Sequence, residues 1–243
     1  MQKPLRWLLS ALFVTQMYLM MALAAVAFAI PALLSRDMAF AGVRFYCNWV
    51  RWTAALLVGL RSEIRGPVPQ TEVLIAAKHQ SFFDIILLCS VLPRPKFIMK
   101  RALIWAPFLG QYALRMGCIP VDRGKRGAAI AQMKADVARG AAQPGQLVIY
   151  PQGTRVAPGA VLPYKMGTGL LYEQLGQTCI PAATNVGLFW PRHGILRQPG
   201  LGVLQFLPAI PPGQPVPAFM KQMESTVESA SLLLMREAGW TGK

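Results

Sequence analysis

Between Trp7 and Ser35 the chain carries no charged residue. A run of that kind exceeds the ~20 apolar residues that cross a bilayer and the ~7–15 of a signal-peptide core, so the "AFA" at 27 to 29 is not taken as a cleavage site. A second apolar stretch, 38 to 60, interleaves Arg44 and Arg51 with Phe45, Tyr46, Trp49 and Trp52. Arginines that can snorkel among tryptophan and tyrosine predict a helix at headgroup level. Pro31 and Ser35-Arg36-Asp37 break the two segments apart, giving a hairpin embedded in one leaflet or a span followed by an interfacial helix.

Beyond Arg61 short apolar runs alternate with helical spacing, the pattern of βαβ units. Strands are predicted over 72–77, 96–100, 118–123, 146–151, 178–186 and within "GVLQF" at 202–206; helices over 81–92, 107–116, 126–139, 166–175 and 218–238. "QLVIYP" is a near-continuous apolar strand of the kind buried on both faces. The expected fold is therefore α/β, a mixed sheet flanked by helices, with an N-terminal hydrophobic helical membrane anchor. Residues 1–61 would form the anchor and 62–243 the α/β domain.

A chain of 243 residues can bury such a core without disulfides. Cys47, Cys89, Cys118 and Cys179 lie far apart with no metal-ligand spacing, which predicts reduced packing residues in a cytosolic setting. The net charge of +15 is concentrated between 85 and 172, where twelve basic residues face two acidic ones. Nucleic acid, an anionic membrane surface or a phosphate-bearing substrate would each fit that charge. No helix-turn-helix, RNA-binding aromatic signature or zinc knuckle accompanies it, and the anchor points to the membrane.

Chemistry enters at the strand ends. "KHQSFFD" (78–84) sets His79 and Asp84 at a strand-to-helix junction, where α/β sheets open onto ligands. Ser81 and Asp84 also match a capping box, so a plain helix start explains both of them but not His79. "PQGTR" (151–155) offers a glycine, a hydroxyl and an arginine, a set that can hold a phosphate. Asp122-Arg123 and Lys100-Arg101 close two further strands. Each of these alone is an ordinary cap, turn or solvated edge; together they describe a cationic pocket around one base.

In this order and spacing, "HQSFFD", "KR" with "WAPFLG", "GCIPVDR", "YPQGTR" and "IPAATNVGLFWPR" resemble the motif blocks of the 1-acyl-sn-glycerol-3-phosphate acyltransferases. The resemblance implies transfer of a fatty acyl group from acyl-CoA or acyl carrier protein to the sn-2 hydroxyl of lysophosphatidic acid, forming phosphatidic acid. His79 would be the general base and Asp84 its partner, as in a Ser-His-Asp triad whose serine is replaced by the substrate hydroxyl. Lys100, Arg123, Gly153, Thr154 and Arg155 would hold the acceptor's phosphate. No cofactor, metal or nucleic acid is implied, and the enzyme would sit on the cell inner membrane with its catalytic domain on the cytoplasmic face.

Two positions depart from the family pattern. Gln152 stands where glutamate is usual, which removes a negative charge, and Lys78 replaces a common asparagine, placing a cation beside the base. Ser81 is expected to cap the helix rather than act as a nucleophile. His193 is expected to be a turn residue. Two alternatives stay open: another lysolipid acceptor, such as lyso-ornithine lipid, or a membrane lipid-binding protein without catalysis.

Overall fold

The computed structural model describes residues 3–122, 135 and 144–242. The predicted helix over 126–139 and Arg123 lie outside the described residues, apart from Ala135. The hydrophobic N-terminus forms three helices: α1 (Lys3–Ala27), α2 (Ala29–Leu34) and α3 (Arg36–Val58). The chain turns at Phe28 and again at Ser35, where Arg36 and Asp37 open the new helix.

Helices α1 and α3 run antiparallel. Gln16 donates to Thr53 Oγ1 at 2.9 Å and accepts from Trp49 Nε1 at 2.7 Å, while Phe28 meets Phe45 at the other end. These bonds satisfy polar groups that would otherwise be stranded in an apolar interface. Among the described residues α1 is the one helix long and apolar enough to cross a membrane. Leu8, Leu12, Leu19 and Leu23 recur at helical spacing along its exposed side.

Arg44 and Arg51 of α3 turn to the folded domain. Arg44 donates to the carbonyls of Leu92 and Pro93 at 3.2 and 2.9 Å, and Arg51 to the hydroxyls of Ser62 and Ser90 at 2.9 and 3.0 Å. Both guanidiniums therefore dock the hairpin onto the domain rather than onto headgroups, and Phe45, Trp52 and Leu56 carry the exposed apolar surface. The physical reason is that open carbonyls at the end of the helix over 83–91 offer strong acceptors within reach.

Among the described residues seven strands make one sheet: β1 (Leu60–Arg65), β2 (Leu74–Ala77), β3 (Pro95–Lys100), β4 (Ile119–Val121), β5 (Gln146–Ile149), β6 (Cys179–Thr184) and β7 (Gly200–Phe206). Their spatial order is β1-β7-β6-β2-β5-β3-β4. All neighbours are parallel except β6 and β7, so the sheet is mixed, as expected. The central strands β2 and β5 are buried throughout, which explains their uninterrupted apolar sequences.

Among the described residues four α-helices flank this sheet: α4 (Phe83–Val91), α5 (Leu109–Arg115), α6 (Gly167–Leu175) and α7 (Val216–Glu237). One face of the sheet shares a core with α4 and the N-terminal hairpin, through residues such as Phe13, Val50, Phe83 and Trp190. The other is covered by α6 and α7, through Leu171, Tyr172, Phe219 and Met223. Strand β1, "LRSEIR", has no sequence-based counterpart in the pattern read above. It is a polar edge strand, and its partner β7 lies some 140 residues downstream, as Leu60 pairs with Gly200.

Candidate active site

Strand β2 ends at Ala77, and the next seven residues turn into α4. Asp84 is fully buried in the first turn of that helix, and its two oxygens divide the work. Oδ2 accepts the backbone amides of Gln80 and Ser81 at 2.9 and 2.8 Å, while the Ser81 hydroxyl accepts the amide of Phe83 at 3.1 Å. That is the reciprocal Ser–Asp arrangement expected, set one residue ahead of the N-cap, Phe82, and it leaves Ser81 buried. Oδ1 faces His79 Nδ1 at 2.9 Å. The cap and the His-Asp pair are thus one carboxylate serving both.

Four donors converge on Asp84, the fourth being the Tyr150 hydroxyl at 3.2 Å from Oδ1. With the carboxylate acting as acceptor throughout, the imidazole hydrogen sits on Nδ1 and the lone pair on Nε2. Among the described residues Nε2 has no hydrogen-bond partner, and the side chain is 13% exposed. Tyr150 also stacks on the imidazole, with centroids 3.9 Å apart. Burial first, and the adjacent Asp84 carboxylate second, hold its phenol protonated well above the usual tyrosine range. It therefore stays a donor at every working pH.

Tyr150 was not singled out in the sequence, although it begins "YPQGTR". Tyr150→Phe keeps the stacking and removes one hydrogen bond, worth about 1 kcal/mol, so kcat should fall roughly fivefold with the acceptor KM unchanged. Steady-state kinetics checks this; a loss beyond ~100-fold would assign Tyr150 a direct proton-transfer role instead.

The carboxyl ends of β2, β5, β3 and β4 lie side by side on one edge of the sheet, in that order. The "PQGTR" segment is next to the base, and Val156 donates its amide to the His79 carbonyl at 2.7 Å. Gly153 has φ +70°, and a Cβ there would come within 2.7 Å of Lys165 Nζ. Only glycine satisfies both constraints, and the close approach places the Lys165 ammonium over the loop. Arg155 donates to the carbonyl of Arg192 at 3.2 Å, and Arg192 to that of Arg155 at 3.3 Å. The block "IPAATNVGLFWPR" thereby meets "YPQGTR", adding Arg192 and Lys165 to the cations seen in the sequence. Thr154, between Gly153 and Arg155 in the chain, is half-buried.

Other sequence-derived candidates fall further out. Lys100 and Asp122 end β3 and β4, two and three strands from β2, or about 10 and 14 Å at ~4.8 Å per strand. Lys100 and Arg101 are exposed, and beside them Trp105 (84% exposed), Leu103 and Phe108 form an apolar rim. Aromatic and cationic side chains together suit the headgroup level of a bilayer.

Gln152 is buried and donates from Nε2 to the Leu162 carbonyl at 3.0 Å. An ionised glutamate could not make that bond, so the departure at 152 fixes the loop. Lys78 does not stand beside the imidazole: its ammonium turns to Glu228 on α7, 2.6 Å away. Side chains at 78 and 79 leave an extended segment on opposite sides, which is why the expected cation is withdrawn from the base. His193 is an exposed bend residue, as expected.

A model of the acyltransferase family matches residues 60–185. The chain is 28% identical over 160 residues to a 1-acyl-sn-glycerol-3-phosphate acyltransferase of Pseudomonas aeruginosa, covering 65% of this chain and 62% of that one. It is likewise 28% identical over 195 residues to the mouse 1-acyl-sn-glycerol-3-phosphate acyltransferase alpha, covering 78% of this chain and 68% of the relative. The crystal structure of the 1-acyl-sn-glycerophosphate acyltransferase of Thermotoga maritima superposes with a TM-score of 0.79, over 96% of this chain and 99% of that chain, at 17% identity. The fold is therefore shared across nearly the whole length.

Proposed function

The chain belongs to the acyltransferase family, and from that premise we propose that it transfers a fatty acyl group from a thioester to the sn-2 hydroxyl of 1-acyl-glycerol-3-phosphate, forming phosphatidic acid. The observation that carries this is the His79–Asp84 pair, 2.9 Å apart, at the carboxyl edge of the sheet, with Nε2 unpartnered among the described residues. An alcohol attacks a thioester poorly at neutral pH unless its proton is removed as the C–O bond forms. His79 Nε2 takes that proton, and Asp84 stabilises the imidazolium through Nδ1. The tetrahedral intermediate then expels the thiolate, whose carbon–sulfur bond breaks as the ester carbonyl re-forms, and the imidazolium returns the proton to sulfur. No metal, cofactor or covalent enzyme intermediate is needed.

In the same proposal Thr154 and Arg155 hold the acceptor's phosphate through hydroxyl and guanidinium, Gly153, whose amide bonds the Tyr150 carbonyl at 2.8 Å, lets the loop approach it, and Lys100 and Arg123 add charge. The donor is acyl-CoA or acyl carrier protein, since a cationic edge suits the phosphates of one and the acidic face of the other. The apolar stripe of α1 and the Trp105 rim support a membrane-bound enzyme drawing lipid from the leaflet beneath it. On that footing the anchor sits in the cell inner membrane and the domain faces the cytoplasm. Three names of relatives point the same way for the acceptor.

The test is thiol release from acyl-CoA or acyl carrier protein by detergent-solubilised full-length protein, with and without lysophosphatidic acid. The protein's own four thiols are buried, and burial pushes those of Cys118 and Cys179 up to about 12, so they stay silent to a thiol reagent at pH 8. Release that depends on lysophosphatidic acid is the expected result. Release only with lyso-ornithine lipid would replace the acceptor, and none with either would overturn the proposal.

A further inference from the structure

One face of α7 grips the segment that carries the base. Glu228, Ser231 and Met235, spaced as one helical stripe, reach Lys78, the backbone of Thr184 and Gln80 respectively. The Lys78 ammonium is 3% exposed and lies 2.6 and 2.8 Å from the two Glu228 oxygens. Gln80 donates to Met235 Sδ at 3.6 Å and accepts the Gly187 amide at 3.0 Å. Both sequence neighbours of His79 are therefore held by α7, on the side away from Asp84, because alternate residues of an extended segment point to the same side.

Glu228 has a second partner. Tyr164 donates to Oε1 at 2.8 Å, and Tyr164 precedes Lys165, whose amide bonds the Pro151 carbonyl and whose ammonium covers Gly153. One carboxylate thus joins the strand end bearing the base to the loop bearing the proposed phosphate ligands. Helix α7 lies wholly outside the residues that match the family.

We propose that Glu228 is a positioning residue for acyl transfer, fixing His79 and the 151–165 loop relative to each other through Lys78 and Tyr164. The inference rests on the acyl-transfer function proposed above. Glu228→Gln leaves the buried Lys78 ammonium facing a neutral amide on a side chain that is 40% exposed, so the strand end shifts until Lys78 reaches the water at that opening or a new acceptor. A misplacement near 1 Å costs up to ~10²-fold in rate.

The experiment uses full-length solubilised protein in a His193→Gln background, where His79 is the sole histidine. Glu228→Gln should lower kcat by about 10- to 100-fold with the melting temperature showing a folded protein. Tyr164→Phe should raise the acceptor KM several-fold and leave kcat nearly unchanged, because it frees only the loop. The charge-swapped pair Lys78→Glu with Glu228→Lys should recover part of the lost kcat. A readout independent of turnover is the rate at which diethyl pyrocarbonate modifies His79, which should rise several-fold in Glu228→Gln.

A merely structural role would lower the melting temperature while kcat and the modification rate of folded protein stay within about twofold, and that result overturns the proposal. If the wild type moves no acyl group to any lysolipid, the acyl-transfer function fails. The modification rate then still decides whether Glu228 holds His79 in place.

Discussion

His79→Ala should cut acyl transfer to lysophosphatidic acid by about 10²–10⁴-fold, the range typical of a lost general base, with the acceptor KM little changed. The side chain makes one hydrogen bond and one stacking contact, while Val156 bonds the residue's backbone carbonyl, which alanine retains. The fold should therefore survive, and far-ultraviolet circular dichroism should match the wild type. Residual activity should rise with pH, as hydroxide takes over proton removal from the acceptor. Unchanged kcat in a folded His79→Ala protein would refute the mechanism and leave "KHQSFFD" as a helix start.

Asp84→Asn should be at least as damaging, near ~10⁴-fold in kcat, for a different reason. Oδ2 is committed to the amides of Gln80 and Ser81, both of which are donors. An asparagine can satisfy them only by placing its carbonyl there, which turns its NH₂ toward His79 Nδ1 and the Tyr150 hydroxyl. Nδ1 must then accept, the hydrogen moves to Nε2, and the base loses its lone pair at the reacting position. The two mutants act differently on the buried site: His79→Ala leaves Asp84 Oδ1 with the Tyr150 hydroxyl alone, whereas Asp84→Asn keeps a partner at each position once that hydroxyl turns to accept, so both should stay folded with a modest loss of melting temperature. Thermal unfolding of both proteins, beside their kcat values, checks the pair. Asp84→Asn with kcat close to wild type would show that Asp84 only caps α4.

These outcomes bear on how the site is assembled. The reaction asks for a neutral base of fixed tautomer and for positive charge at a set distance from it. The first need is met within six residues, 79 to 84. The second is spread over strand ends and loops brought together by the sheet, and it includes Lys165 and Arg192 beside Arg155. The N-terminal hairpin shares the core on α4's face of the sheet, so the anchor is packed onto the element whose first turn holds Asp84.

What depends on near neighbours can be read along the chain. Strands β2 and β5 were legible because strands buried on both faces are apolar throughout, and α4 because Ser81 and Asp84 spell a cap. The His79–Asp84 pair was legible for the same reason: a turn joins residues five apart. The hairpin break at Ser35 was likewise encoded locally, by charge, whereas the blocks that follow one another as β2, β3, β4 and β5 in sequence stand in the order β2-β5-β3-β4 along the sheet edge.

Contacts between distant segments arise only as the fold closes. Tyr150 reaches Asp84 across 66 positions, and Lys78 reaches Glu228 across 150. No spacing rule announces such pairs, because the sheet order that closes them is set by the packing of the whole core. Arg44 and Arg51 show the same limit from the other side. Their composition suits a lipid headgroup, yet open carbonyls and hydroxyls of the folded domain lie within reach and bind them first. Composition states what a side chain can bind; which partner it meets is decided when the chain closes on itself.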